Sequence, residues 1–295
     1  MTTIQQAGST AVRTTTQQKV GRRHRPDHIR GRWGYFAILV VVTAVVLIPL
    51  AVILLLSVQP GARSSSTSGF TFENFAHVFG TTDVVRWLLN SLLVTVATVA
   101  VSVIVAAPAG YVLSRGRSRA VSGYSLLLFV VQSLPVITSI IPLFILFANF
   151  GLADNLFGIT IVYVGGTVAV ATWMMAAYID TIPVTLEEAA WVDGSSVFGS
   201  FLRIIVRNSL PGVLSTAIFS FLLAWNDYLV ALIFLRSAEK FTLPIGLETF
   251  FQQNAADWGS VMAVSVVMLL PPAILFATLN RYFSVGGIGG SLAGR

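Results

Sequence analysis

The chain has 295 residues, of which 18 are Lys or Arg and 12 are Asp or Glu, while 55% are hydrophobic. Soluble globular proteins carry about a quarter charged residues, so this composition excludes an ordinary soluble enzyme. Cysteine is absent, and His24, His28 and His77 form no HExxH motif. Disulfides, thiolate catalysis and cysteine-based metal sites are therefore excluded, and we expect no cofactor in this chain.

Six long apolar stretches follow one another along the chain, and Asp227 is the one charged residue inside them. A helix of about 20 residues crosses the hydrocarbon core of a bilayer, and each stretch is long enough to do so. The sequence therefore predicts an all-α membrane protein with a transmembrane domain over 34–280, a basic tail over 1–33 and a short tail over 281–295. The predicted transmembrane helices are 34–57, 89–113, 124–148, 157–179, 212–235 and 259–280.

The basic residues predict the orientation of these helices. Fourteen of the 18 Lys and Arg residues fall on the side of the N-terminus, and the other four are Arg63, Arg86, Arg236 and Lys240. Lys and Arg accumulate in cytoplasmic loops, so both termini are expected in the cytoplasm. The cluster 22–25 and the arginines 115, 117 and 119 are interpreted as topology anchors near anionic lipid, not as a nucleic-acid site.

The loop 180–211 between the fourth and fifth stretches contains signals for two short helices. Thr185 followed by Glu188 predicts a capping box, with a helix from about Leu186 to Asp193. Gly194 can take a left-handed conformation that ends this helix, and Ser195 or Ser196 can cap a second one that ends before Asn208. By itself the pattern also fits an amphipathic hairpin that lies on the bilayer surface.

Two motifs carry a family resemblance. Glu188-Ala189-Ala190 with Gly194 and Ile204, in a loop between spans four and five of six, resembles the EAA loop of binding-protein-dependent ABC importer permeases. The segment 225–228, which reads Trp-Asn-Asp-Tyr, and the C-terminal segment 281–290 resemble the carbohydrate-uptake branch, the maltose-permease (MalG-like) family. The similarity runs from about residue 34 to the end. Arg207 stands where that family usually has a proline, which leaves the end of the second loop helix open.

This resemblance implies a type I ABC importer permease fold in the bacterial inner (plasma) membrane. It implies that an ATPase subunit docks on the EAA helix, at Glu188, Ala189, Ala190, Asp193 and Gly194. This chain has no GxxxxGK[ST] phosphate loop, so ATP and magnesium are expected on separate ATPase subunits and the chain itself is not an enzyme. The other implied partners are a second permease subunit and an extracytoplasmic sugar-binding protein, which would contact the loop 236–258.

The intramembrane carboxylate of Asp227 allows two interpretations. A charge inside the bilayer costs about 2.5 to 3.5 kcal/mol on insertion scales, so Asp227 is expected to face the bundle interior or water. It can accept hydrogen bonds in a sugar pathway, with Asn226 beside it and with Trp225 and Tyr228, three residues apart, sharing a helix face for stacking on a pyranose ring. It can instead be a structural acid that ties the fifth span to a partner through backbone amides or an arginine.

The sequence thus predicts a permease subunit that imports an oligosaccharide or a related solute. Glycerol-phosphate-type solutes are an alternative substrate class within the same family. A proton-coupled carrier that uses Asp227 as its protonation site and a non-transporting membrane anchor are alternatives of other classes, and neither explains the EAA-type loop.

Overall fold

The computed structural model describes residues 29–60, 69–251 and 257–292, with side chains for 33–60, 69–251 and 257–279. The predicted basic cluster 22–25 lies outside the described residues. The chain divides into two units, residues 1–49 and residues 50–295. Helix α1, Ile29–Ser57, begins in the first unit, and its side chains from Trp33 to Pro49 are exposed.

The described part of the second unit is built from helices and the turns between them. The end of α1 is followed by the helices α2 (Glu73–Thr81), α3 (Val84–Arg115), α4 (Arg119–Ser133), α5 (Val136–Asn149), α6 (Leu156–Ile179), α7 (Thr185–Val192), α8 (Val197–Ser200), α9 (Val206–Asn208), α10 (Leu210–Trp225), α11 (Leu229–Phe234), α12 (Leu243–Glu248) and α13 (Trp258–Leu292). A π-helical segment, Phe201–Ile205, joins α8 to α9, and a short 3₁₀ helix spans Ala238–Lys240.

Four continuous helices in the described residues are long and apolar enough to cross a membrane: Trp33–Ser57, Val84–Arg115, Leu156–Ile179 and Trp258–Leu279. Two bent helix pairs raise this number to six if each pair is one span. These pairs are Arg119–Ser133 with Val136–Asn149, and Val197–Asn208 with Leu210–Trp225. The predicted multi-pass architecture is therefore confirmed, although two of the predicted spans are not single helices.

The predicted third span, 124–148, is divided by a 96° bend between α4 and α5. Leu134 and Pro135 both have extended backbone conformations at the bend. Proline has no N–H to donate, and it biases the residue before it away from the helical region. Apolar residues continue on both sides of the bend, which is why hydropathy alone predicts one helix here.

The predicted fifth span, 212–235, is also interrupted. Helix α10 ends at Trp225, and α11 begins at Leu229. The side-chain amide of Asn226 donates a hydrogen bond to the Leu222 carbonyl at 2.9 Å, so a side chain contributes to satisfying one of the last carbonyls of the helix. The second span is longer than predicted, because α3 already begins at Val84 instead of residue 89.

Helices α3 and α6 form the centre of the second unit. The packed face of α3 begins with the larger residues Val84, Trp87 and Val94 and is otherwise rich in small residues, among them Ser91, Thr95, Thr98, Ser102, Ala106 and Gly110. Small residues let membrane helices approach closely. A Cβ added at Gly110 would lie 2.7 Å from the Met175 Cβ of α6, and the Ser102 and Thr167 hydroxyls lie 2.7 Å apart. The two helices are therefore in tight contact along their length.

Candidate functional site

The loop predicted to contain two helices forms a hairpin, which we call the coupling hairpin and define as residues 180–208. Its first helix, α7, ends in a Schellman motif: the Ser195 amide donates to the Ala190 carbonyl at 2.8 Å, and the Gly194 amide donates to the Trp191 carbonyl at 3.0 Å. Gly194 has φ +86°, a left-handed conformation in which other residues are strained. The predicted glycine elbow is present.

The two predicted helix caps have different outcomes. Ser196 caps α8, because its hydroxyl accepts a hydrogen bond from the Gly199 amide at 3.1 Å. The capping box at Thr185 and Glu188 was wrong, because Thr185 is already the first residue of α7, and the residue at the cap position, Val184, has a helical conformation. The preceding proline turn begins the helix without a side-chain cap, since the Glu187 amide bonds to the Val184 carbonyl at 2.9 Å.

The residues predicted to dock an ATPase lie at the exposed tip of the hairpin. Glu188, Ala189, Asp193 and Gly194 are exposed, and Ala190 is half-buried. Apolar side chains surround them, including Val192 at 88% and Phe198 at 69% of full exposure. In a soluble chain such a group of apolar side chains marks a protein or membrane contact.

Arg207, which replaces the usual family proline, lies in α9 and is exposed. The helical path that begins with α8 continues through the π-helical segment to Asn208 and then bends by 73° into α10. Pro211 sits in the first turn of α10, where a missing N–H costs no hydrogen bond. The turn into the fifth span therefore occurs at Ser209, after Arg207.

The opposite face of α7 carries a buried carboxylate, and sequence reasoning assigned it no role. Glu187 is fully buried and accepts hydrogen bonds from Arg115 Nε and the Tyr111 hydroxyl, both at 2.7 Å. The sequence predicts only a topology anchor at Arg115. A sequence signal does exist, because Tyr111 and Arg115 are four residues apart at the end of an apolar stretch and therefore share one helix face.

Trp225 ends α10 in the protein core, on a different side from Asp227. Its side chain is 1% exposed and stacks on Phe221, with ring centroids 5.6 Å apart. Its indole N–H donates to the Met268 carbonyl of α13 at 3.2 Å. The prediction that Trp225 and Tyr228 share a helix face was wrong, because the helix ends between them.

Asp227 occupies the break between α10 and α11. Its carboxylate accepts hydrogen bonds from the Tyr163 hydroxyl of α6 at 2.7 Å and from the Ala231 amide in the first turn of α11 at 3.1 Å. Tyr228, the next residue, bonds through its hydroxyl to the carboxylate of Glu248 in α12. Asn226 is exposed. Three of the four residues predicted to form one site, Trp225, Asp227 and Tyr228, therefore bond to three different helices, and the fourth is exposed.

A cavity of about 560 Å³ opens beside Asp227. Both helix breaks line it, with Leu134 and Val136 from the first and Asp227 from the second, and the glycines 165 and 166 of α6 form another part of its wall. Its polar groups include Gln132, Ser139, Tyr163 and Thr167, in a wall that is otherwise mostly apolar. In membrane transporters, discontinuous helices often line the solute site, so this cavity is a candidate pathway.

The middle of the loop 236–258 is packed against the helices. Leu243, Pro244, Ile245 and Gly246 of α12 are buried, and a Cβ added at Gly246 would lie 2.0 Å from the Trp87 ring. Gln252, Gln253 and Asn254, which belong to the predicted contact with a binding protein, lie outside the described residues.

Asp154 fixes the beginning of this loop. Its carboxylate accepts hydrogen bonds from the amides of Arg236 and Ser237, from the Ser237 hydroxyl at 2.6 Å and from Lys240 Nζ at 3.1 Å. Burial alone would raise the pKa of Asp154, but these hydrogen bonds hold it well below its ordinary value. Asp154 therefore remains charged in the folded protein at neutral pH.

Among the described residues, no three His, Asp or Glu side chains converge in a way that could hold a metal ion. The geometry consists instead of an exposed hairpin, a cavity beside a broken span, and the helices that connect them. Residues 103–285 match the family described as "Binding-protein-dependent transport system inner membrane component".

The chain belongs to this family. It is therefore a multi-pass membrane protein that acts as a transport subunit, and it is not an enzyme, as the sequence predicts.

The relatives of this family member include an inner membrane ABC transporter permease protein, YcjP, from Escherichia coli (strain K12). The two are 32% identical, and the match covers 89% of this chain and 97% of the relative. The maltodextrin transport system permease protein MdxG from Bacillus subtilis (strain 168) is 27% identical, and the match covers 77% of this chain and 82% of the relative. The alpha-glucoside transport system permease protein AglG from Rhizobium meliloti (strain 1021) is 34% identical, and the match covers 76% of this chain and 61% of the relative.

Among solved structures, the fold is similar to that of a chain in a bacterial ABC transporter involved in the import of the acidic polysaccharide alginate. The TM-score is 0.75 at 24% sequence identity, and the match covers 88% of this chain and 98% of the other. This likeness shows that the family member has the predicted permease fold.

Proposed function

We propose that this chain is the permease subunit of an ATP-driven importer for an oligosaccharide or a related sugar, and that the coupling hairpin docks its ATPase subunit. The exposed tip of the hairpin carries this proposal. It combines an elbow fixed by Gly194 with acidic residues and exposed apolar side chains, including Val192 at 88% exposure. Such a tip suits a rigid-body partner, because the Schellman motif prevents fraying of so short a helix.

The substrate class is inferred from relatives and from the cavity. Relatives are named for transport of maltodextrin, alpha-glucosides and diacetylchitobiose. Among the described residues that line the cavity, Asp227 is the charged one, and the others are apolar, amide or hydroxyl side chains. A carboxylate with neighbouring hydroxyls can accept hydrogen bonds from sugar hydroxyls, whereas it repels a phosphate. The cavity therefore favours a neutral sugar over a glycerol-phosphate-type solute.

Within this proposal, Asp227 is the acceptor in the solute pathway, and Asn226 and Tyr228 flank it. Trp225 holds the helix break in place from the core, since its indole N–H is already bonded to the Met268 carbonyl. The hydrogen bonds from Tyr163 and Ala231 support a pathway role without an arginine partner, because they stabilise the charge and leave carboxylate lone pairs for a solute.

The remaining partners follow from the family. We propose a second permease subunit, ATPase subunits that carry ATP and magnesium, and an extracytoplasmic sugar-binding protein. A structure with a similar fold was solved in complex with an alginate pentasaccharide-bound periplasmic protein. The distribution of Lys and Arg supports cytoplasmic termini and a cytoplasmic coupling hairpin.

Docking is tested by placing a charge on the hairpin tip. We expect Val192→Asp to abolish co-purification of an ATPase subunit with the tagged chain, because the substitution puts a carboxylate in an apolar contact. Thr185→Asp is the matched control, since it adds the same charge at the first turn of the same helix, where an acid is favourable. Equal recovery of the ATPase subunit with both variants would contradict the docking site.

The substrate class is tested by uptake. Cells that depend on this chain are given radiolabelled maltotriose, diacetylchitobiose or glycerol 3-phosphate, and uptake is compared with that of a deletion strain. Uptake of either sugar without uptake of glycerol 3-phosphate is the expected result. Uptake of glycerol 3-phosphate alone would refute the sugar assignment.

A further inference from the structure

A buried ion pair joins the coupling hairpin to a long membrane helix. Arg115, the last residue of α3, donates from Nε to Glu187 of α7 at 2.7 Å, and the two side chains retain 17% and 1% of their exposure. Neither residue belongs to the exposed tip of the hairpin. A buried pair needs good geometry and further hydrogen bonds to offset the cost of removing two charges from water.

Those further hydrogen bonds are present. The second carboxylate oxygen of Glu187 accepts from the Tyr111 hydroxyl at 2.7 Å. Arg115 also donates to the Ile182 carbonyl at 2.9 Å and to the Ser114 hydroxyl at 3.2 Å, so its guanidinium reaches the turn that precedes α7. Ser114 in turn donates to the Asp180 carboxylate at 2.5 Å. The end of α3 is thus bonded to both ends of segment 180–187.

Helix α3 carries this connection toward the cavity. Gly110 lies five residues before Arg115 and packs directly on Met175 of α6. Farther along, Ser102 is hydrogen-bonded to Thr167, which lines the cavity. Helices α3 and α6 therefore lie in close contact from the hairpin to the cavity, and a displacement of α7 acts on both.

The second arm of the hairpin is attached differently. Phe201 and Ile205 pack on α3 and α6 through apolar contacts, including the Tyr111 ring at 5.1 Å from that of Phe201. Apolar contacts are non-directional, so they allow the second arm to slide along α3 and α6. The guanidinium of Arg115 is fixed in both distance and orientation, because its three nitrogens bond to three different acceptors, the Glu187 carboxylate, the Ser114 hydroxyl and the Ile182 carbonyl.

We propose that Arg115 and Glu187 are positioning residues that transmit movement of the coupling hairpin to α3 and α6. This inference rests on the proposed function, because it assumes that an ATPase moves the hairpin. The ion pair converts a push on α7 into a shift of the cavity wall. Without the ion pair, the ATPase subunit still docks on the hairpin and hydrolyses ATP, but the cavity wall moves less in response.

The absence of cysteine makes a clean reporter possible. Gly166→Cys places a thiol on the cavity wall of α6, where an added Cβ meets no atom within 4 Å. The transporter complex is co-purified through this chain, reconstituted in liposomes and labelled with N-ethylmaleimide, with and without ATP and vanadate. ATP hydrolysis is measured on the same samples.

Glu187→Gln keeps the size of the side chain and an acceptor for Tyr111 while removing the charge, and Arg115→Lys is the conservative partner variant. We expect ATP with vanadate to change the labelling rate about fivefold or more in the parent complex. In Glu187→Gln most of that change is lost while ATP hydrolysis continues, and Arg115→Lys retains part of it. Tyr111→Phe is the matched control, because it removes one hydrogen bond and leaves the ion pair, and it should respond like the parent.

Two results would overturn the inference. The first is an unchanged nucleotide response in Glu187→Gln. The second is loss of the assembled complex in Glu187→Gln and Arg115→Lys alike, which would assign the pair to folding only. A parent complex that contains no ATPase, or that shows no response to ATP, is a different outcome, which would contradict the proposed function itself and the inference with it.

Discussion

Trp225 is predicted to satisfy a backbone carbonyl that a proline leaves without its helical partner. Helix α13 contains Pro271 and Pro272, and a proline cannot donate to the carbonyl four residues earlier. For Pro272 that carbonyl belongs to Met268, and the indole N–H of Trp225 donates to it at 3.2 Å. The hydrogen bond therefore ties the end of α10 to the middle of α13.

The size of this effect follows from what each substitution removes. Trp225→Phe keeps an aromatic ring that can stack on Phe221 but leaves the Met268 carbonyl without its donor. An unsatisfied buried group costs about 1 to 3 kcal/mol, and the smaller ring adds a cavity term. Pro272→Ala supplies a backbone N–H four residues after Met268. In the double variant we therefore expect about 1 kcal/mol of the loss in stability to be recovered.

The assay is a double-mutant cycle on thermal unfolding of the purified protein in detergent. Pro271→Ala is the matched control, since its new N–H would face the Val267 carbonyl instead of that of Met268. Rescue of Trp225→Phe by Pro272→Ala and not by Pro271→Ala is the expected result. Equal rescue by both prolines, or rescue by neither, would refute the assigned hydrogen bond.

Three other predictions use positions described above. Gly194→Ala should destabilise the elbow by about 1 kcal/mol because of its left-handed φ, whereas Gly123→Ala in helix α4 should be neutral or stabilising; equal effects in thermal unfolding would contradict the strain at Gly194. Asp227→Asn keeps a side-chain amide near Tyr163 and should reduce sugar uptake only as far as the loss of one charge-assisted hydrogen bond allows, roughly 1.5 to 3 kcal/mol, while the complex stays intact. Loss of the complex on gel filtration would favour a structural charge instead. Because the folded-state pKa of Asp154 is depressed, the stability that its carboxylate contributes is complete above its unfolded pKa of about 3.9 and is lost as the pH falls toward the lower folded pKa. Asp154→Asn should therefore lower the unfolding temperature at pH 7, and its difference from the parent should shrink below about pH 4. A difference that stays constant with pH would count against the assigned hydrogen bonds.

The sequence was sufficient for features that local chemistry decides. The apolar stretches coincide with helices such as Leu156–Ile179, and Gly194 and Ser196 act as a helix stop and a helix cap. Each of these depends on residues close together in the chain. The same is true of the EAA-type spacing, which indicates the family from residues 188–204 alone.

The break in span five and the buried Glu187 depend on residues distant in the chain, so local sequence patterns could not predict them. The break in span three, in contrast, lies at Pro135, which is a local signal. The break at Asp227 is held by Tyr163 from another helix, and Trp225 finds its hydrogen-bond acceptor on α13. Hydropathy is insensitive to such contacts, since an apolar stretch looks the same whether it is straight or bent. The local sequence is typical of an exposed acidic residue at Glu187, and only the contact with Arg115, 72 residues earlier in the chain, explains its burial.

The small polar face of α3 has a consequence for how the chain enters the membrane. Ser102 has its partner, Thr167, 65 residues later in the chain, and Ser91 accepts a hydrogen bond from the Leu243 amide, 152 residues later. At about 5 to 20 residues per second, a ribosome needs roughly 8 to 30 s to synthesise the longer interval. During that time the hydroxyls of α3 face lipid or the insertion machinery, where each must bond to a carbonyl of its own helix. A nascent chain that stalls before α6 therefore leaves the Ser91 and Ser102 hydroxyls without their partners from later parts of the chain.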